Sequence, residues 1–442
     1  MAFKGHNALA SGRFEVAARP LGAGGHSTVF KAKDKAYADP SRSFALKVYD
    51  PQQPDEAAGS TVHPSNINEM LALDVLQSAA ETKAIASSIP PGFYRRAWHP
   101  NVVRRYGHHM ASKSTRHGDQ WLLLELLEGA QSLGRCSEVS AFEAKAVLYE
   151  LLRMLAFLHQ NDIAHGDISS ENLLVCRKIE GLPLLNAIDF GLSVHAKAQQ
   201  AMGAESGRGF QGARGTPGYF TPEMTWPYAA YSDPKGSPMF QRYDERKGDI
   251  FQTGVVAVEV ATGKNAAKDL FPLGRATKQG VAQLSRQLFT FTGRPGNEEA
   301  AAMGFPQGLF SEIEVSSADG IKAKLRRWGV GDEGLLDVLS KMVCLPGSRR
   351  TAEELSMHPY FTHDAALQPV VKAYIDWGFP PPHTIPTPTV PAPLPLPLPQ
   401  PTHITPTATN SSMASIGSPP TDDEQMMEVD EEADMMVIDH SL

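Results

Sequence analysis

The sequence predicts an α+β protein with a small antiparallel sheet and one helix, then a larger, mainly helical lobe, and finally a disordered tail. Short segments rich in Val and Phe come first and are separated by glycines or a polar loop: RFEVAARPL, STVFKAKD and FALKVYD. Later, AFEAKAVLYELLRMLAFLHQ repeats apolar residues three and four apart, which is typical of an amphipathic helix. From residue 379 onwards the chain is Pro-rich and then acidic, which disfavours a packed core.

Charge and cysteine content restrict the class of protein. Residues 379–442 hold nine Asp or Glu and no Lys or Arg, so the first 378 residues carry 41 basic and 40 acidic side chains. This balance offers no basic surface for nucleic acid or for an anionic membrane. The three cysteines are widely spaced, and no apolar stretch has signal-peptide or membrane-span length. We therefore expect a cytoplasmic or nuclear protein, without nucleic-acid or membrane partners.

The first candidate for ligand binding is the glycine cluster LGAGGHSTVF between two predicted strands. Glycines Gly22, Gly24 and Gly25 would let the backbone approach phosphate oxygens, and Val29 could cover a flat base. Taken alone, a glycine-rich hairpin is more often a simple turn.

Lys47 lies in the alternating strand FALKVYD, and an inward-pointing ammonium needs an anionic partner. Glu69 in the predicted helix NINEMLALDVL is the preferred partner, and Glu81 is its rival. A surface lysine, and a capping box between Asn66 and Glu69, are the simpler structural explanations.

Three later segments complete the pattern. WLLLELLEGAQSL is an apolar strand whose end, Glu125 to Leu127, has backbone groups that could bond an adenine edge. IAHGDISSENLLV places Asp167 and Asn172 five residues apart in a loop. A carboxylate there can steer a hydroxyl proton, while the Asn172 amide and the carboxylate of Asp189, in LNAIDFGLS, can hold magnesium.

In this order the motifs resemble those of the eukaryotic protein kinase superfamily, Ser/Thr type, from about Arg13 to Phe361. GTPGYFTPE resembles the substrate-side loop that ends in the family's APE motif, and DIFQTG its structural aspartate, Asp249. PGSRRTAEELSMHPYF places Arg350 where the family pairs an arginine with the APE glutamate, here Glu223. The resemblance implies an ATP- and Mg²⁺-dependent enzyme with a two-lobed fold that phosphorylates proteins.

The resemblance also assigns roles to individual residues. It implies Asp167, Lys47, Asn172 and Thr216 as catalytic residues, and Asn172 and Asp189 as magnesium ligands. The implied nucleotide-binding residues are Leu21, Gly22, Gly24, Gly25, Val29, Ala45, Lys47, Glu69, Glu125, Leu127 and Leu174. The expected organisation is an N-terminal extension (1–12), an N-lobe (13–128), a C-lobe (129–362) with an insertion near 266–327, a C-terminal extension (363–378) and the tail (379–442).

Two positions depart from the family pattern. Gly166 stands where the family carries an arginine that receives an activation-loop phosphate, so we expect activity independent of phosphorylation at Ser193, Ser206 or Thr216. Ser169 stands where a lysine stabilises the transferring phosphoryl group, and such a loss can slow catalysis on the order of a hundredfold. A nucleotide-binding scaffold with weak turnover is therefore an alternative.

The HGD sequence also resembles small-molecule phosphotransferases of the aminoglycoside and choline kinase type, which is a second alternative. Those enzymes lack GTPGYFTPE and a distal RRTAEEL, which favours the protein kinases. In the tail, PAPLPLPLPQP could dock domains that read polyproline II, although a spacer is the more common meaning. Val437 and Ile438, beside acidic residues, resemble a SUMO-interacting motif, and a solvated acidic end is the simpler interpretation.

Overall fold

The computed structural model describes residues 12–24, 27–39, 41–49, 64–86, 98–110, 120–136, 139–179, 182–195, 215–231, 244–273, 278–302 and 305–377. Gly25, Ser206 and the tail beyond residue 377 lie outside the described residues, as do the predictions made for them.

The N-terminal lobe is a five-stranded antiparallel sheet with one helix. Its strands, in chain order, are β1 (Phe14–Ala23), β2 (Ser27–Asp34), β3 (Phe44–Tyr49), β4 (Arg105–Met110) and β5 (Gln120–Glu125). They lie in the spatial order β1-β2-β3-β5-β4. Strand β3 is central, so Lys47 faces Val29 of β2 on one side and Leu122 of β5 on the other.

Helix α1 (Pro64–Ala86) packs against this lobe through one face. Glu69, Leu73 and Leu76 are four and three residues apart, so they share a face, and all three are fully buried. Leu71, on another face, is 50% exposed. Burial of Leu73 and Leu76 therefore brings the Glu69 carboxylate into the interior.

The C-terminal lobe is mainly helical. Its helices of eight or more residues are α2 (Ala141–Gln160), α3 (Pro222–Tyr231), α4 (Glu245–Thr262), α6 (Lys278–Thr292), α8 (Ala318–Trp328), α9 (Glu333–Ser340) and α12 (Gln368–Asp376). The shorter ones are α5 (Ala266–Asp269), α7 (Asn297–Ala302), α10 (Ala352–Ser356) and α11 (Pro359–Thr362). The segment expected to be an insertion, 266–327, thus includes α5, α6, α7 and most of α8. The α+β, two-lobed prediction is confirmed.

Helices α2 and α4 form the centre of this lobe, as their apolar sequences predict. A capping box starts α2, because the Ser140 side chain accepts from Glu143 N while the Glu143 carboxylate accepts from Ser140 N. Helix α4 is buried from Gly248 to Val258, including the polar residues Asp249 and Gln252. A buried carboxylate needs hydrogen-bond donors, and those of Asp249 include backbone amides of the loop between Ala164 and Leu173, which is called the catalytic loop below.

Five further strands follow β5 in the chain: β6 (Gln131–Ser132), β7 (Ile163–Ala164), β8 (Leu173–Ile179), β9 (Leu182–Ala187) and β10 (Val194–His195). Strand β8 pairs with β6 and β9, and β7 pairs with β10. The loop between β7 and β8 carries Asp167 and Asn172, and Asp189 is the second residue after β9. Ile188 N donates to Asn172 O at 3.0 Å, which places the two loops side by side.

The predicted pairing of Arg350 with Glu223 is wrong by one residue. Arg349 is buried and forms a two-pronged ion pair with Glu223, whereas Arg350 is exposed and pairs with Glu354 on α10. The guanidinium of Arg349 also lies 4.9 Å from the Phe251 ring centroid. The sequence offers two adjacent arginines, and only the packing decides which one points inward.

The C-terminal extension is tied to both lobes. Tyr374 on α12 is fully buried and donates a hydrogen bond to Asn101 Oδ1, in the segment that precedes β4. Asn101 Nδ2 donates to Glu150 on α2 at 3.1 Å and to Leu185 O at 2.6 Å.

Among the described residues no helix is both long enough and apolar enough to cross a membrane.

Glu150 makes the stability of the fold depend on pH. Its burial raises the pKa of the carboxyl to about 8, even though Leu185 N and Asn101 Nδ2 donate hydrogen bonds to it. The native protein therefore keeps a proton that the unfolded chain loses, so the free energy of unfolding falls as pH rises towards 8, by at most about 1.4 kcal/mol per pH unit.

We expect Glu150→Gln to flatten the dependence of the unfolding free energy on pH between about 5 and 8, because glutamine does not titrate. Urea unfolding followed by circular dichroism at several pH values measures this dependence. The exposed Glu312, replaced by Gln, is the control and should leave the wild-type slope unchanged. Parallel curves for wild type and Glu150→Gln would contradict the assignment.

Candidate active site

The site lies between the two lobes, below the β1–β2 hairpin. Gly22 pairs with Val29 across this hairpin, and Gly24 N donates to Ser27 O at 2.8 Å. Leu21 is 55% exposed at the edge of the hairpin. A Cβ added at Gly22 would meet no atom within 4 Å, so a ligand could approach the hairpin backbone there.

Lys47 lies between two carboxylates, one from its own lobe and one from the other lobe. Its Nζ donates to Glu69 Oε2 at 2.8 Å and to Asp189 Oδ1 at 2.8 Å. Burial by itself would lower the pKa of Lys47, but the charges of Asp189 and Glu69 outweigh burial and raise this pKa above its ordinary value. Lys47 is therefore a permanent cation at the base of the cleft. The structure brings together the pair that the sequence favoured, and the Glu81 side chain lies outside the described residues.

Asp189 has an unusual backbone conformation that directs its side chain into the cleft. Its φ is +62°, a left-handed value that few residues other than glycine adopt, and its side chain is 44% exposed. Partial burial works to raise the pKa of Asp189, but the charge and hydrogen bond of Lys47 hold it below its usual range. Next to it, Phe190 is fully buried with its ring centroid 4.7 Å from that of His165.

Helix α4 holds the catalytic loop from below. Asp249 accepts from His165 N and Gly166 N, both at 2.9 Å, and Gln252 Oε1 accepts from Ile168 N at 2.9 Å. Three backbone amides within four residues of this loop are therefore bonded to side chains of the core helix. The sequence pointed to Asp249 but not to Gln252, whose only signal was a polar residue inside an almost wholly apolar segment.

Asp167 is held in one orientation by two donors. Thr216 N donates to its Oδ1 at 2.8 Å, and Asn172 Nδ2 donates to its Oδ2 at 2.8 Å. Burial raises the pKa of Asp167, and the hydrogen bonds from Thr216 only partly oppose this. A carboxylate with a raised pKa is a better proton acceptor near neutral pH than an ordinary aspartate.

Asn172 and Asp189 fit a magnesium site by their chemistry. The Asn172 amide nitrogen donates to Asp167 O at 3.0 Å as well as to its carboxylate, so the amide oxygen is directed away from Asp167. With Asp189 it offers one amide and one carboxylate oxygen, the hard donors that Mg²⁺ takes beside substrate phosphates.

The remaining predicted nucleotide contacts lie on β3, on β8 and at the end of β5. Ala45 is two residues before Lys47 on β3, so both side chains lie on the same face of the sheet. Glu125 ends β5, where its N donates to Arg104 O at 2.8 Å, and Leu127 follows it, half-buried. Leu174 is half-buried on β8, in the other lobe.

The two unusual positions of the catalytic loop have clear environments. Gly166 has φ +79°, and a Cβ there would lie 2.4 Å from Leu192 O, so any side chain requires the backbone to shift. Ser169 is fully buried, and its Oγ has no hydrogen-bond partner in the part of the chain that the structure describes. Neither residue presents a charge to the cleft.

The substrate-side loop is braced against this site. Tyr219 donates to Glu259 Oε2 at 2.6 Å, and its hydroxyl lies 2.8 Å from Ser170 Oγ. Sequence reasoning did not identify Tyr219, although it lies in the GTPGYFTPE motif. Its contacts join this loop to α4 and to the catalytic loop.

Comparison with known proteins agrees with this geometry. The chain is 24% identical over 273 residues to calcium/calmodulin-dependent protein kinase type II subunit delta from Oryctolagus cuniculus, covering 61% of this chain and 39% of that protein. It is 28% identical to CBL-interacting protein kinase 22 from Oryza sativa subsp. japonica, covering 57% of this chain and 49% of the relative. The chain therefore spans less than half the length of these relatives.

A solved structure and a family match extend the comparison. A chain from the structure of the CAK complex of Chaetomium thermophilum bound to ATP-gamma-S superposes with a TM-score of 0.55 at 22% identity, covering 80% of this chain and 92% of that chain, and this shows a shared fold. The family described as the protein kinase domain matches residues 16–361. On the strength of that match, the chain belongs to the eukaryotic protein kinase superfamily.

Proposed function

We propose that the protein transfers the γ-phosphoryl group of ATP to Ser or Thr hydroxyls of protein substrates in a Mg²⁺-dependent reaction. The observation that carries the proposal is the arrangement of Asp167, Asn172, Asp189 and Lys47 around one cleft. Asp167 is oriented by Thr216 and Asn172, and the cation Lys47 lies against Asp189.

Each group has a separate task in this reaction. Asp167 positions the attacking hydroxyl and accepts its proton, for which its raised pKa is suited. Lys47 binds triphosphate oxygens while Glu69 keeps its ammonium in place. Magnesium, held by Asn172 and Asp189, would neutralise charge on the phosphates. Gly22 and Gly24 let the hairpin backbone lie close to the same phosphates.

Two features support protein Ser/Thr substrates. The GTPGYFTPE segment is ordered beside the catalytic loop, where Thr216 contacts Asp167 and Tyr219 contacts Ser170. The relatives named above are protein kinases, and the family match covers this segment. A small-molecule phosphotransferase has no need of such a brace.

Independence from activation-loop phosphorylation is part of the proposal. Gly166 has no cationic side chain to receive a phosphate. Ser193 is buried and donates to His165 O at 3.3 Å, so its hydroxyl is already used inside the fold. Thr216 orients Asp167 through its backbone N–H, a contact that does not require phosphorylation of its side chain.

The alternative is a nucleotide-binding scaffold with weak turnover, and Ser169 is the observation that favours it. Its hydroxyl is buried, so it supplies neither the charge nor a surface donor for the transferring phosphoryl group. Binding of ATP alone does not separate the two functions, because both require it.

We expect Asp167→Asn to lower the rate of phosphorylation of a Ser/Thr peptide by at least about 100-fold, because the base is removed with little change in side-chain size, and an amide nitrogen cannot accept one of the two hydrogen bonds that orient Asp167. Phosphate incorporation by purified protein with Mg²⁺ and ATP measures the rate. Asp319→Asn, at an exposed position, is the control and should behave as wild type. Equal incorporation by Asp167→Asn and wild type would favour the scaffold.

Treatment with a broad-specificity protein phosphatase should leave the turnover rate within about twofold of the untreated rate. The residue before Asp167 is glycine, so no arginine there binds a phosphate on the activation loop. The comparison is made between treated and untreated enzyme after removal of the phosphatase, with mass spectrometry to verify dephosphorylation. A loss of turnover that returns on incubation with ATP would show that a phosphorylated residue is required after all.

Ser169→Ala should leave turnover within about threefold, and removing its unpaired hydroxyl should raise the unfolding free energy or leave it unchanged within about 1 kcal/mol. Ser170→Ala is the matched comparison. It removes the hydrogen bond between the Ser170 hydroxyl and Tyr219, so it should lower the free energy of unfolding by about 1 kcal/mol. Denaturant unfolding and steady-state kinetics provide both quantities. A tenfold or greater fall in kcat for Ser169→Ala would place that hydroxyl in the reaction.

A further inference from the structure

Tyr49 occupies a position next to the site to which no role has been assigned above. It follows Lys47 by two residues on β3, so both side chains project from the same face of the sheet towards α1. Tyr49 is 4% exposed, and its hydroxyl donates to Glu69 Oε2 at 2.7 Å. This is the same oxygen that accepts from Lys47 Nζ at 2.8 Å.

We propose that Tyr49 is a positioning residue that holds Glu69, and with it helix α1, against the sheet whether or not a nucleotide is bound. The consequence for catalysis rests on the proposed kinase function. The consequence for the position of α1 rests on the contacts alone.

The Glu69 carboxylate is fully buried, so its stability depends on the donors that surround it. Lys47 and Tyr49 donate to Oε2, and Phe190 N is 3.4 Å from Oε1. A hydrogen bond from a neutral hydroxyl to a buried carboxylate is charge-assisted and therefore stronger than a bond between two neutral groups.

The two donors to Oε2 respond differently to a triphosphate. Lys47 already divides its protons between Glu69 and Asp189, and phosphate oxygens would compete for the same ammonium. Tyr49 has no charge to attract phosphate, and its hydroxyl is enclosed next to Glu69. It therefore keeps Glu69 in place when part of the Lys47 interaction is transferred to the ligand.

A space-filling role is the simpler alternative, since Tyr49 also belongs to the apolar core and its ring centroid lies 5.6 Å from Lys47 Nζ. Tyr49→Phe separates the two roles, because it keeps the ring and removes only the hydroxyl. Tyr374→Phe is a matched control: that tyrosine is also buried and also donates through its hydroxyl, but to Asn101.

Hydrogen–deuterium exchange without nucleotide tests the inference directly. Tyr49→Phe should increase exchange of the α1 amides by about tenfold, whereas Tyr374→Phe should leave α1 at the wild-type rate. A thermal melt of each variant verifies that it folds. Wild-type exchange of α1 in Tyr49→Phe would overturn the proposal, and this result does not depend on whether the protein turns over ATP.

A double mutant checks that the hydroxyl acts through Glu69. Glu69→Leu removes both acceptor oxygens, so it alone should also increase α1 exchange, and adding Tyr49→Phe to it should change exchange by less than twofold. An undiminished tenfold effect in the Glu69→Leu background would overturn the proposal. Since Glu69→Leu leaves Tyr49 intact, it provides a second variant if Tyr49→Phe does not fold.

The kinetic readout separates this inference from the proposed function. If the protein is a kinase, Tyr49→Phe should lower kcat/KM for ATP by about five- to tenfold, and Tyr374→Phe should not. A wild-type protein without turnover would refute the proposed function and leave the exchange result to decide on Tyr49. Normal kcat/KM in Tyr49→Phe, with active wild type, would overturn the catalytic part of the inference.

Discussion

The buried charge of Lys47 is the constraint on which the site depends. An ammonium placed on the inner face of a central strand needs anions within hydrogen-bond distance, because it cannot keep its hydration shell there. One of these anions, Glu69, belongs to α1, and the other, Asp189, belongs to the loop that follows β9. The ion pairs therefore hold a strand and a helix of the N-terminal lobe against a loop of the C-terminal lobe.

A second set of constraints acts on the catalytic loop from the opposite side. Asp249 and Gln252 accept hydrogen bonds from the backbone of the loop, so contacts with α4 help to set its conformation. Gly166 and Ser169 both fit this conformation. At Gly166 the left-handed backbone suits glycine, and at Ser169 the side chain turns into the interior. Asp167 is oriented by Thr216 N and Asn172 Nδ2, and neither Gly166 nor Ser169 adds a charge beside it.

Much of this arrangement could be predicted from local patterns. Strand alternation placed Lys47 inside the sheet, spacing and the helix pattern of NINEMLALDVL favoured Glu69 over Glu81 as its partner, and the order of motifs indicated two lobes. Local patterns failed where neighbouring residues have the same chemistry. Arg349 and Arg350 are equal by composition, but only the first fits beside Glu223 and Phe251. The hydroxyl of Tyr49 was also overlooked, because a tyrosine in an alternating strand looks like an ordinary core residue. The predictions for the tail remain predictions.

The sequence by itself determined the chemical groups, their order along the chain and the type of secondary structure that carries each one. Periodicity, glycine spacing and motif order are local properties, and the backbone responds to them locally. Only the tertiary structure decided which carboxylate meets Lys47, which arginine is buried and whether Ser169 faces the cleft. Those outcomes depend on contacts between residues that are distant in the chain, where burial makes each unpaired charge costly and therefore selects one partner.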